Sequence, residues 1–169
     1  MTAYLQECDG ELNAVITNAI IFEAAEVVPG VELKNRFFTE NAAWDTGSEV
    51  TIVSSRVVKA LGLKPFDHST IVGIGGEEET DIYKVHLGLP NGYLYKNRYV
   101  YCSDMKDYDI LIGMDIIAKS DFFLTNIDGN SRFYFRLPAV GKAEFCVHET
   151  LLCTFCVCVN FWSKFNTLE

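Results

Sequence analysis

The hydrophobic positions of this chain fall into short runs separated by turn residues, a pattern that predicts strands more often than helices. Two runs rich in Val, Ile and Phe occupy residues 12–24 and 31–38. Pro29 and Gly30 stand between them and form a turn signal. We therefore predict two strands here, joined by a turn.

Two dipeptides farther along the chain are typical of hairpin turns. Asn91–Gly92 separates the apolar runs 82–89 and 93–101, and Asp128–Gly129 interrupts the run from 121 to 137. In that last run Phe, Phe and Leu alternate with Arg and Tyr, as expected for a strand with one buried face. Two antiparallel hairpins follow from this pattern.

Helical signals are few and short. In "SSRVVKALGL", Ser54 or Ser55 can cap a helix, apolar residues recur at helical spacing, and Gly62 can end it. A second short helix follows the apolar strand 110–112 and its glycine. The chain is thus predicted to be mostly β with two short helices.

Composition places the chain among globular proteins. Its 169 residues, 49% of them hydrophobic, can form one domain plus extensions. The net charge of −9, from 14 basic and 23 acidic residues, argues against binding to nucleic acid, whose phosphates it would repel.

The N-terminal residues Glu7, Asp9 and Glu11 stand where a secretory signal peptide would need basic residues. The six cysteines show no framework spacing over the first 140 residues, which is typical of reduced thiols. Both observations predict a cytoplasmic protein without a disulfide scaffold.

A single acid interrupts the apolar stretch "FFTENAAWDTGSEVTIVSS" at 37–55. Asp45 follows small and apolar residues, and it precedes Thr46, Gly47 and Ser48. An isolated ionised carboxylate is costly to bury, so Asp45 must be hydrogen-bonded or paired. The alternative to a functional acid is an Asx turn at a strand end, common for Asp before Gly.

Three elements in this order resemble the retropepsin-like aspartic proteases: the Asp-Thr-Gly-Ser at 45–48, the glycine-rich "VGIGG" at 72–76, and "ILIGMD" at 110–115. The resemblance is greatest to bacterial single-lobe members that act as homodimers. It implies an all-β, single-lobe acid-protease barrel with short helices, closed by homodimerisation. It covers about residues 11–138, so we assign 1–138 to the protease domain.

The resemblance also implies roles for these residues. Asp45 would be catalytic, and its partner would be Asp45 of a second subunit, because the chain has one Asp-Thr-Gly. Gly47 would let backbone N–H groups hold the carboxylate. Thr46 would hydrogen-bond across the dimer, and Ser48 would support Asp45 through its hydroxyl.

The other two motifs have structural counterparts in that family. Ile74, Gly75 and Gly76 would form the tip of a flap that closes over a peptide, although an ordinary surface hairpin is the alternative. A phosphate loop fits poorly, since three glutamates follow at 77–79. Gly113 and Asp115 would be structural. Many viral relatives have an ion-pairing Arg after this glycine, where this chain has Met114.

Residues 139–169 form a Cys-rich, apolar extension whose role the pattern leaves open. Some of its side chains are of types that suit zinc, but they lack the second, separated pair of known zinc modules. We therefore predict no metal and no cofactor. The uncharged run 150–159 is shorter than the about 20 residues that span a bilayer. The possible ligands are Cys146, His148, Cys153, Cys156 and Cys158.

Two functions follow from this sequence. The first is an aspartic endopeptidase that hydrolyses peptide or protein substrates as a homodimer. The second is a non-proteolytic module of the same fold that binds an extended peptide by β-augmentation. The intact Asp-Thr-Gly-Ser favours the enzyme. His68, His86 and His148 have no partner spacing and receive no role.

Overall fold

The computed structural model describes residues 3–25, 33, 35–73 and 75–139. Within them the chain is mostly strand with two short helices, as the hydrophobic pattern predicts. The elements in chain order are β1 (Tyr4–Cys8), β2 (Val15–Glu23), β3 (Arg36–Trp44), β4 (Ile52–Ser54), α1 (Ser55–Leu61), β5 (Asp67–Gly73), β6 (Gly76–Gly88), β7 (Leu94–Ser103), β8 (Ile110–Ile112), α2 (Met114–Ile117), β9 (Asp121–Ile127) and β10 (Asn130–Arg136).

Six strands form a closed barrel. They neighbour one another in the order β2, β3, β8, β4, β7, β6, and β2 also pairs with β6, which closes the ring. β5 continues the sheet beyond β6 as an edge strand. Alternate side chains of the barrel strands point inward and exclude water, which is the main source of its stability. The fully buried barrel residues include Ile21, Val85, Ile110 and Ile112.

A second, antiparallel sheet in the order β1, β10, β9 packs against the end of β3. The rings of Phe133 and Phe135 lie with centroids 5.4 and 4.4 Å from that of Trp44. The Trp44 indole N–H also donates to the Thr17 hydroxyl at 3.0 Å. These contacts fix the last residue of β3, and therefore the point at which Asp45 leaves the barrel.

The predicted bounds of the third strand are wrong. It begins at Arg36 and runs to Trp44, whereas the apolar run predicted 31–38. The polar stretch after Phe38 remains in the ladder because Thr39 pairs with Ala19, and its buried hydroxyl donates to Asp109 at 2.6 Å. Residues 31, 32 and 34 lie outside the described residues.

The predictions for the Asp128–Gly129 turn and for the two ends of α1 are confirmed. Asp128 and Gly129 have φ of 53° and 75°, the two positive values that a type I′ hairpin turn needs. Ser54 caps α1 and accepts from the Val57 N–H, while Gly62 ends α1 with φ of 60°. Ser54, not Ser55, is therefore the N-cap.

One topological feature positions the site. β8 lies between β3 and β4, parallel to the first and antiparallel to the second. The connection 45–51 must therefore pass across the end of β8, where Gly113 follows. Asp45 and "ILIGMD" are brought together by this crossing.

No helix within residues 3–25, 33, 35–73 and 75–139 is long and apolar enough to cross a membrane. Cys8 and Cys102, which lie in these ranges, are free thiols. The extension beyond Ala139, with its possible metal ligands, lies outside the described residues, so its predictions and the domain boundary stay predictions.

Candidate active site

Asp45 lies at the start of the connection that crosses β8. Its backbone N–H donates to Ile112 O at 2.9 Å, and the Gly47 N–H donates to its Oδ1 at 2.8 Å. The side chain is half-buried, and Oδ2 has no hydrogen-bond partner among the described residues. One carboxylate oxygen is therefore fixed by the backbone, while the other is available to a second group.

The bond from Gly47 to Asp45 is an Asx turn, the structural alternative considered for this acid. The turn uses only Oδ1, so it orients the carboxylate without occupying it. A Cβ at Gly47 would lie 3.1 Å from Oδ1, closer than ordinary contacts allow. Glycine at 47 is thus suited to the approach of this N–H.

The two neighbouring side chains differ in what they contact. Thr46 is exposed at the surface of the described chain. The Ser48 hydroxyl donates to Val50 O at 2.8 Å, so its proton does not reach Asp45 as the resemblance implied. Ser48 stabilises the loop backbone, because its N–H also donates to Asp45 O at 3.3 Å.

Gly113 lies where the loop crosses β8. A Cβ at this position would lie 2.4 Å from Val50 O and 3.0 Å from Ser48 O, both backbone atoms. The following N–H groups of Met114 and Asp115 donate to Ser48 O and Glu49 O at 2.8 and 3.1 Å. Only glycine leaves room for this close backbone packing.

Asp115 connects three parts of the barrel. Its Oδ1 accepts from the Thr51 hydroxyl and its Oδ2 from Arg98 Nη2, both at 2.7 Å. Although Met114 cannot form an ion pair, its neighbour does. The structural role of Asp115 stays a prediction, which these contacts support.

β5 and β6 form an exposed hairpin whose last pair is Gly73 with Gly76. Gly76 has φ of +106°, a conformation that favours glycine, whereas Gly75 has open space around it and no positive φ. Ile74, the remaining predicted tip residue, lies outside the described residues.

The closed barrel and its crossed Asp-Thr-Gly loop decide the fold. The fold is retropepsin-like. The predicted all-β, single-lobe barrel with short helices is thereby confirmed, whereas its closure by a second subunit stays a prediction.

Two solved structures are similar to this retropepsin-like chain. A retropepsin-like aspartic protease from Rickettsia conorii is 16% identical, with a TM-score of 0.44, over 79% of this chain and 93% of that one. A protease of Simian Foamy Virus (mac) is 22% identical, with a TM-score of 0.38, over 60% and 89%. No protein-family model and no curated protein matches the chain.

The base of the β5–β6 hairpin is tied by one carboxylate. Asp81 Oδ1 lies 2.6 Å from His68 Nδ1, and its Oδ2 accepts from the Tyr83 hydroxyl at 3.1 Å. Burial, followed by this hydrogen bond and the Asp81 charge, raises the pKa of Tyr83 to about 12. Tyr83 is therefore a neutral donor at physiological pH. Nearer the tip of the hairpin, Glu78 Oε2 accepts from the Ser103 hydroxyl at 3.2 Å.

Two further titratable side chains of the barrel, His86 and Cys102, have surroundings that suit a structural role. His86 is buried; its Nε2 donates to Ala25 O at 2.7 Å, because its Nδ1 accepts from the Asn97 N–H at 3.0 Å. Burial, and then neighbouring carboxylates, raise the pKa of the Cys102 thiol, so the reactive thiolate is disfavoured there. Neither group has the character of a nucleophile, and no metal-binding cluster occurs among the residues described.

Asp109, a buried acid beside β8, is not among the residues expected from the sequence. It accepts hydrogen bonds from Thr39 at 2.6 Å and Arg56 Nε at 2.8 Å, and its backbone joins Asn41 and Ser54. Its signal was available, because like Asp45 it is an acid bordering an apolar strand. Asp109 ties β3 and α1 to the start of β8, at the end of that strand away from the loop.

Proposed function

We propose that the chain is an aspartic endopeptidase that acts as a homodimer and hydrolyses peptide bonds through two Asp45 carboxylates, one from each subunit. The observation that carries the proposal is the half-buried Asp45, oriented by the Gly47 N–H through one oxygen and open at the other. The chain contains one Asp-Thr-Gly, so the second carboxylate comes from a second copy.

Two carboxylates at about 3 Å cannot both ionise, so the pair shares one proton. The ionised Asp45 takes a proton from a water molecule, which attacks the carbonyl carbon of the substrate peptide bond. The protonated Asp45 donates toward the carbonyl oxygen. No covalent bond to the protein forms in this reaction.

The surface around Asp45 supports the approach of a second chain. Thr46 and Gly47 are both exposed, so a two-fold axis beside them would bring two identical loops together. In this dimer Thr46 would bind its counterpart across the axis. Dimer formation would also remove the two carboxylates from bulk water.

The substrate would be an extended peptide held between the barrel and the β5–β6 hairpin, with Ile74, Gly75 and Gly76 acting as a flap tip. We place this activity in the cytoplasm, because the cysteine spacing over the first 140 residues is typical of reduced thiols. No cofactor takes part in the proposed reaction.

A peptide-library cleavage assay tests the proposal between about pH 4 and pH 8, the range over which carboxylates exchange roles as acid and base. We expect cleavage at defined peptide bonds by the full chain, and none by the Asp45→Asn protein prepared in parallel. Equal cleavage by both preparations would contradict the proposal, because the activity would then not depend on the Asp45 carboxylate.

The flap prediction is tested by adding bulk at Gly75, which has open space and no positive φ. We expect Gly75→Val to lower kcat/KM by about tenfold, because a β-branched residue stiffens the tip that must open and close. The melting temperature should change little, since the tip makes few buried contacts.

Gly75→Ala is the matched control, because it adds one carbon at the same position and should keep most of the activity. Turnover by Gly75→Val at the parental rate would show that the hairpin is not a catalytic lid.

A further inference from the structure

An ion pair next to the Asp45 loop is not among the groups that react in the proposed mechanism. Arg98 Nη2 on β7 lies 2.7 Å from Asp115 Oδ2 on α2, with the side chains 20% and 17% exposed. The other oxygen of Asp115 accepts from the Thr51 hydroxyl at 2.7 Å. One carboxylate thus joins β7 to the residue that precedes β4.

The second half of the Asp45 loop is tied to Asp115 at two points. Thr51 is 1% exposed, and its Oγ1 also accepts from the Gly113 N–H at 3.2 Å. The Asp115 N–H donates to Glu49 O at 3.1 Å, within the loop itself. Movement of Asp115 would therefore be transmitted to the loop through its backbone and through Thr51.

The helix α2 has few interactions of its own that fix its position. It has four residues, and its N-cap, Gly113, makes no side-chain capping bond. A helix of this length is not stable on its own, so tertiary contacts decide where it lies. Because its N–H groups donate to the loop, the contacts of Asp115 also decide where Asp45 lies.

Arg98 is poorly explained as a source of stability. Its Nε is buried and has no hydrogen-bond partner among the described residues. Its guanidinium lies over the Tyr95 ring, with the central carbon 4.5 Å from the ring centroid. Apolar residues can often replace a buried ion pair without loss of stability. The position that the pair gives to α2 therefore explains its presence better than a contribution to stability does.

We propose that Arg98 and Asp115 are positioning residues. They hold the Asp45 loop in the position at which the Asp45 carboxylates of two subunits meet. The inference rests on the proposed function and extends it to residues outside the reacting Asp45 pair. It predicts that loss of the pair impairs turnover more than substrate binding.

Hydrogen exchange tests the anchoring without any need for activity. In Arg98→Met we expect the backbone N–H groups of Met114 and Asp115 to exchange at least about tenfold faster than in the parent. The matched control is Arg56→Met, which removes the partner of buried Asp109 at the far end of β8. It should leave these two amides unchanged.

Kinetics of the same proteins test the effect on the reaction. Arg98→Met should lower kcat by about 10- to 100-fold, because a small displacement of a catalytic group has such an effect. KM should stay within about twofold. The two limbs of the pH profile should move closer together, since separated carboxylates share a proton less well. Arg98→Lys, which keeps the charge, should recover part of kcat.

Unchanged exchange and unchanged kcat in folded Arg98→Met would overturn the proposal. Equal effects of Arg98→Met and Arg56→Met would also overturn it, because they would report general destabilisation. If Arg98→Met does not fold, Arg98→Lys provides a milder comparison, in which these amides should still exchange faster and kcat should still be lower than in the parent. If the parent protein cleaves no peptide, the proposed function fails, while the exchange rates still decide whether the pair anchors the loop.

Discussion

Replacement of Asp45 by Asn should lower kcat by at least about 1,000-fold while the protein stays folded. In the proposed dimer the change removes both the base and the acid, because each subunit supplies the same residue. The Asn side chain can still accept from the Gly47 N–H, which keeps the loop conformation. Peptide cleavage and circular dichroism on the same preparation measure the two effects.

This substitution also separates the two functions considered for the chain. A non-proteolytic module that binds an extended peptide would keep its affinity after Asp45→Asn, and its parent would cleave nothing. The enzyme would lose cleavage and could still bind the peptide. Cleavage by folded Asp45→Ala, which removes the carboxylate outright, would refute the catalytic assignment.

The second large effect is expected at Gly113. In Gly113→Ala the new methyl would lie 2.4 Å from Val50 O, so the loop backbone must move away from β8. We expect the free energy of unfolding to fall by about 3 kcal/mol and kcat to fall with it, since the displaced backbone carries Asp45. Urea unfolding and peptide cleavage measure both.

Gly88→Ala is a matched control for this change. Gly88 also lies at the end of a strand, but a Cβ there would lie 3.6 Å from Ile20, an ordinary contact. Its stability and activity should stay near those of the parent. If Gly113→Ala behaves like Gly88→Ala, the close crossing of the loop over β8 is not a constraint in solution.

Features that depend on local chemistry could be predicted from the sequence. The Asp128–Gly129 turn, the Ser54 cap and the Gly62 stop each need one or two residues of a particular type, and the structure has all three. Most strands of the barrel could be predicted because they have alternating or continuous apolar runs between turn signals, whereas their closure into a barrel could be expected only from the family resemblance.

Features that depend on partners far apart in the sequence could not be predicted from it. β1 has the unremarkable sequence "YLQEC", and it is a strand because residues 4–8 pair with 131–135. Arg98 and Asp115 are 17 residues apart, and Arg56 and Asp109 are 53 apart. Nothing in their spacing indicates a contact.

In the candidate site, too, some features could be predicted from the sequence and others could not. Asp45, Gly47 and Gly113 could be found because motif and backbone geometry coincide at these positions. The direction of the Ser48 hydroxyl could not, since Val50 O lies within its reach as well. A short polar side chain often bonds to its own backbone, and sequence does not decide between two acceptors.

The central claim is that one site needs Asp45 from two chains, and subunit mixing tests it most directly. A fixed amount of parent chain is equilibrated with increasing Asp45→Asn chain, above the dimer dissociation constant, and activity per parent chain is measured. Random pairing predicts a fall to about half at equal amounts, and a continuing fall toward zero with excess variant, because mixed dimers have one carboxylate. Activity per parent chain that stays constant at every ratio would contradict the claim, since each chain would then contain its own complete site.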